Sequence, residues 1–204
     1  NEAFLPSSTV RDNVVNIAKL LNYVPRSIQA SQGTVNLTVQ TIQSSGSYPS
    51  TVTLKKGAVA TGGNYIWNVL ADTTAEVNAT TGIATFSNLV LKEGSIVTFQ
   101  YVVNTFATQN YKVPSEDADI NTLSVRVKAN ESSTTSDFYN LVDTITGLTA
   151  NTMVYFLSEG EDMRYEVKFG DDSVGRALKD GEVVLFEYLV TSGEEANDVD
   201  RFSY

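Results

Sequence analysis

The chain has 204 residues, 42% of them hydrophobic, with no cysteine and no histidine, and 24 acidic against 14 basic residues give a formal charge of −10. That composition excludes disulfide staples, thiol nucleophiles, Cys-ligated metal centres and imidazole acid–base chemistry. The charge disfavours nucleic acid and anionic membrane surfaces as partners, and no apolar run reaches the ~20 residues that span a bilayer.

The opening Asn1-Glu2-Ala3-Phe4 has neither an initiator methionine nor a signal pattern, as expected of a piece of a longer chain or a processed product. Val10, Val14, Ile17 and Leu21 then recur at spacings of four, three and four, which predicts one face of an amphipathic helix. Thr9 and Asp12 fit a capping box, and Pro25 ends the helix near Asn22. Such a helix is too short to be stable alone, so its stripe must pack against something.

From residue 33 the period changes to two. Val35, Leu37 and Val39 alternate with Thr34, Asn36, Thr38 and Gln40, the signature of a half-buried strand. Further strands are predicted near 51–56, 64–70, 83–91, 95–103, 122–128, 152–158, 163–169 and 182–190. Gly-, Asp- and Asn-bearing turns lie between them, such as Thr61-Gly62-Gly63, Lys92-Glu93-Gly94 and Lys179-Asp180-Gly181. Ser136–Val142 could form a single helical turn. The expected fold class is mainly β with one N-terminal helix, in two antiparallel β-sandwich or open-barrel subdomains. The expected division is a helical lead-in at 1–30, a first β subdomain at 31–112 and a second at 113–204, following the first or nested with it. Pro114 and the acidic residues after it mark the boundary.

An internal echo accompanies that division. Leu91–Val103 and Leu178–Val190 share Leu, Lys, Gly, Val, Phe, Tyr and Val in register. Each reads as a turn feeding a strand, with Val97, Phe99, Tyr101 and Val103 on one face of the first and Val184, Phe186, Tyr188 and Val190 on one face of the second. These aromatics are expected in the core, as is Trp67, the single tryptophan, which alternates with Tyr65 and Val69.

Carboxylates are the only raw material for a reaction. Glu159, Glu161 and Asp162 cluster at one predicted turn, and Asp171 with Asp172 at another. Facing carboxylates would serve glycoside hydrolysis, and hard oxygens would serve calcium. Yet turns collect Asp and Gly for backbone reasons, and no calcium-loop spacing is present. Glycine-rich phosphate loops and Ser-x-x-Lys helices are absent too. The reading is a protein without catalytic residues, cofactor or metal.

Two stretches go further. Arg11–Ser27, an apolar-striped helix leaving through Asn22-Tyr23-Val24-Pro25-Arg26-Ser27, resembles the helix of phage baseplate wedge proteins. Tyr165-Glu166-Val167-Lys168-Phe169-Gly170-Asp171-Asp172-Ser173-Val174-Gly175-Arg176-Ala177-Leu178, continuing to Tyr188-Leu189-Val190-Thr191-Ser192-Gly193-Glu194-Glu195-Ala196-Asn197, resembles the pattern of the baseplate J-like family. That pattern runs strand, Phe-Gly-Asp-Gly, Gly, strand, then Tyr-x-x-Thr-x-Gly-x-x-Ala-Asn. The closing Phe202-Ser203-Tyr204 is similar to the continuation in the T-even wedge subunit. The chain departs at Asp172, where the family pattern has its second glycine.

The resemblance implies a structural subunit of the contractile-tail baseplate, in the virion and assembled in the host cytoplasm. Its partners would be copies of itself and neighbouring wedge proteins, in a ring around the hub whose rearrangement helps trigger sheath contraction. The motif positions it marks are Tyr23, Pro25, Phe169, Gly170, Asp171, Asp172, Gly175, Tyr188, Gly193 and Asn197. A glycan-binding β-sandwich of a tail or cell-surface protein is the competing reading, and it needs exposed aromatics in a groove.

Overall fold

A computed structural model describes residues 27–160 and 164–204. The predicted helix, Tyr23 and Pro25 lie outside those residues, as do Glu161 and Asp162. The described chain is mainly β. Its thirteen strands are β1 (Gln32–Gln40), β2 (Thr51–Leu54), β3 (Gly57–Gly62), β4 (Tyr65–Val69), β5 (Thr73–Glu76), β6 (Ile83–Glu93) and β7 (Ser95–Val102), followed by β8 (Tyr111–Lys112), β9 (Ala118–Lys128), β10 (Asp137–Leu141), β11 (Val154–Glu159), β12 (Tyr165–Phe169) and β13 (Val183–Val190). A short 3-10 turn follows at Gly193–Ala196.

The chain divides into two compact units. One joins Gln29–Ile96 to Leu189–Tyr204, and the other contains Val97–Tyr188. The second also takes Ser27 and Ile28 and interrupts the first between Ile96 and Leu189 as an inserted unit, and residues 112 and 113 both lie inside it. The reason is local. Val113 is fully buried and donates its N–H to the carbonyl of Tyr165 at 2.7 Å, so the proline-bearing stretch after it is a loop of that unit and not a linker.

In the outer unit a four-stranded sheet of order β1-β6-β4-β3 curls into a half-barrel, and β2 pairs with β5 in a separate ribbon. β1 alternates exposed and half-buried along its whole length, so Val35, Leu37 and Val39 face the core as their period requires. That core holds Trp67, Val69, Phe86, Leu89 and Leu91, with the C-terminal Val199 and Phe202 packed on it. Trp67 is 2% exposed and meets Phe202 edge-on with ring centroids 5.0 Å apart, as the core reading of this residue expects. The tail is fastened to β3 by two reciprocal backbone hydrogen bonds between Thr61 and Ser203, of 2.8 and 2.7 Å.

The inserted unit is built on a seven-stranded, nearly closed barrel sheet of order β7-β13-β9-β10-β11-β12-β8. Two features differ from expectation. Ser136–Val142 forms no helical turn. Its residues 137–141 are strand β10, laddered antiparallel to β9, with Tyr139 turned inward and Phe138 outward. An aromatic pair between polar residues fits a pleated surface better than a helical turn. The sheet is also mixed, because β10 and β11 run parallel at Asn140↔Val154 and Leu141↔Tyr155. The connection between them, residues 142–153, has the dozen or so residues that a parallel return requires.

The two echo segments end in strands that are neighbours in this sheet, β7 and β13. Val184, Phe186 and Tyr188 are buried, as expected. Phe99 is not: it is 39% exposed, and Val97 and Tyr101 are only half-buried. The cause is position, since β13 has a strand on both sides and β7 ends the sheet.

Candidate functional site

The motif stretch that follows β12 forms a compact turn fixed by its own side chains. Phe169 ends β12 and sits edge-on to Tyr111 and Tyr139, with centroids 5.4 Å away in both pairs. Gly170 then passes Gly175 backbone to backbone. A Cβ on Gly170 would lie 2.2 Å from the Gly175 carbonyl, a separation that no side chain tolerates. Gly175 itself has φ +82° and donates its N–H to the Thr149 carbonyl at 3.1 Å. These contacts explain both glycines.

Between them, the Asp171 carboxylate accepts the N–H groups of Ser173 and Val174, each at 2.9 Å. Those two donors hold its pKa below the ordinary carboxylate value. Asp172 adopts φ +65°, donates its N–H to the Gly175 carbonyl at 3.0 Å and accepts the Ala177 N–H on its own carboxylate at 2.8 Å. The left-handed backbone that glycine would serve is therefore kept at this position, with a local hydrogen bond in place of conformational freedom.

The turn leads to Arg176, which the sequence reading did not single out. Its guanidinium binds the carboxylate of Glu182 through both terminal nitrogens and donates to the Tyr139 hydroxyl. Glu182 also accepts the Lys179 N–H at 2.8 Å. The hydrogen bonds to Glu182 raise the Arg176 pKa, so this arginine stays charged, while burial pushes the Tyr139 phenol up. Glu182 is 7% exposed, and an acid at that depth needs such a partner. Arg176 thus joins the turn to the entry of β13 by an ion pair and to β10 by a hydrogen bond.

The second half of the motif crosses into the outer unit after Tyr188, which is 3% exposed. There, Glu93 is buried at 3% exposure and accepts hydrogen bonds from the Thr191 hydroxyl and the Ser192 N–H. The Thr191 hydroxyl oxygen in turn accepts the Gly193 N–H at 3.0 Å. Gly193 has φ +65° and is buried, Ala196 is fully buried, and Asn197 receives the Ser31 hydroxyl at 2.7 Å. The Gly193 carbonyl lies 2.6 Å from the same Ser31 hydroxyl, so the two acceptors share its one hydrogen. The Thr-x-Gly-x-x-Ala-Asn pattern is thus the outline of a buried polar knot around Glu93. The sequence marks Gly193 and Asn197 by resemblance and Lys92-Glu93-Gly94 as a turn, but not that Glu93 joins them.

Glu159 is not at an exposed turn but closes β11 at 1% exposure. Among the described residues no three acidic groups are placed to hold a metal ion. The inserted unit carries a groove of about 650 Å³ lined by Ile120, Leu123, Leu141, Leu157 and Tyr155, with Asp143 as the one acid on its wall among the described residues. Burial pushes the Tyr155 phenol up to about 12, so it is neutral across the physiological range.

No family model matches the chain, and no curated protein matches it significantly.

Proposed function

We propose that the chain is a structural module of a contractile-tail baseplate wedge, acting by holding neighbouring subunits together. The observation that carries the reading is the backbone at Asp172. The family pattern has a glycine there, and this chain keeps the left-handed φ of +65° without one. Four described motif positions hold backbone in place: Gly170 and Gly175 touch, Gly193 is left-handed, and Asn197 ties the knot through Ser31. A pattern preserved in geometry where its residue has changed supports kinship with the family over chance recurrence of turns.

Glycoside hydrolysis needs two carboxylates facing one another, and among the described residues the groove of the inserted unit carries one acid, Asp143. The core position of Trp67 removes the most suitable ring for stacking a sugar and weakens the glycan-binding reading. The test is reconstitution of the full-length protein with the products of the genes beside its own. Stoichiometric co-assembly with wedge neighbours on size exclusion is expected. A chain that binds none of them, and instead gives saturable binding to host polysaccharide, would replace this reading with the competing one.

A further inference from the structure

Among the described residues the barrel sheet of the inserted unit has two ends, β7 and β8, and they are consecutive in the chain yet share no ladder. β8 has only two residues against the eight of β7. Side chains do the joining. Tyr101 meets Tyr111 edge-on at 5.5 Å and donates its hydroxyl to the Lys112 carbonyl at 2.8 Å.

Gln109 contributes the most specific contact. Val103 directs its own N–H and C=O at β13, to the Glu182 carbonyl and the Gly181 N–H at 2.8 and 2.9 Å. By the alternation of a strand, the peptide groups of Val102 and Asn104 face the other way, towards the seam. There the Gln109 carboxamide donates to the Val102 carbonyl at 2.9 Å and accepts the Asn104 N–H at 2.8 Å. A carbonyl at one residue and an N–H two residues later are the pair that one residue of a neighbouring parallel strand would satisfy. The Tyr111 hydroxyl donates to the same Gln109 oxygen at 3.0 Å and fixes the amide's orientation.

We propose that Gln109 is a latch, a side-chain amide standing in for one residue of a strand and closing the outer edge of β7 at its C-terminal end. The surroundings make such a device necessary. Residues 94–111 contain no charged side chain and no proline, the usual guards of a free edge, in a chain of net charge −10. The inference does not depend on the baseplate reading.

Residue-resolved amide exchange tests it, with the Val103 N–H as internal reference because it faces β13. In Gln109→Ala, exchange at Asn104 is expected to quicken at least tenfold while Val103 stays unchanged. Gln109→Glu, which can accept but not donate, should restore part of the Asn104 protection. Equal acceleration at Val103 and Asn104 would mean general loosening and overturn the latch. So would an Asn104 amide that exchanges freely in the unaltered protein.

Discussion

The two halves of the motif that follows β12 solve the same problem, holding an irregular backbone still, by opposite means. Phe169–Arg176 does it at the surface, with exposed Asp171 and Asp172 bonding N–H groups within their own turn. Thr191–Asn197 does it inside, around the buried Glu93 carboxylate and through partners more than ninety residues away in sequence. Water competes for every bond of the first and for few of the second. A lost partner should therefore be tolerated in the turn and costly in the knot. Only where backbone meets backbone does the turn become equally brittle.

That exception gives the largest expected effect. Gly170→Ala would drive a methyl group into the Gly175 carbonyl at 2.2 Å, and backbone cannot move aside as a flexible side chain can. A loss of at least ~3 kcal/mol in urea unfolding is expected. Next comes Thr191→Val, nearly isosteric, which removes the hydroxyl that donates to Glu93 and accepts from the Gly193 N–H. Stranding those buried groups should cost about 2–3 kcal/mol. A loss under ~0.5 kcal/mol would mean that the knot is no more than surface chemistry, and the contrast between the halves would collapse.

The contrast also accounts for what the sequence made legible. Local rules were readable: the alternation of β1, the inward Trp67 and the glycine-bearing turns need only neighbours along the chain. The motif positions could be marked, but not their reasons. Gly170 is required by Gly175 only once the turn closes, and Glu93 finds Thr191 across ninety-eight residues. Strands β3, β5, β8 and β10 escaped for a related cause. Their own periodicity does not mark them, and their partners do: β5 is held by β2 and β8 by β12, each far away in the chain, while β3 and β10 ladder with their neighbours β4 and β9. Phe99 and Phe186 show the same limit, since like positions in echoing segments take different burial from their places in the sheet.

A smaller effect separates strain from hydrogen bonding at Asp172. Alanine there would keep the unfavourable left-handed backbone and lose the acceptor for the Ala177 N–H, while glycine would lose the acceptor but relieve the backbone. Asp172→Ala is expected to fall below Asp172→Gly by ~1 kcal/mol, the usual difference for a left-handed position. Glycine itself should lie close to the unaltered protein. Identical stabilities for the two variants would show that φ at this residue relaxes freely.

The smallest effect is a pH dependence at Asp171. Its pKa is depressed in the folded chain by the Val174 and Ser173 N–H groups, relative to an ordinary value of 3.8. A depressed acid binds fewer protons folded than unfolded, so its contribution to stability is complete above the unfolded value and disappears as the pH falls through the folded one. Asp171→Asn cannot ionise. The stability difference between the two proteins, followed by urea midpoints, should therefore be constant near neutrality and shrink on acidification below 3.8. Because the side chain is fully exposed, the change should be small, below the difference expected between the two variants at Asp172. A difference that instead grew with acidification would mean that the turn is held by something other than the carboxylate, and would remove the hydrogen-bonded surface from the comparison with the buried knot.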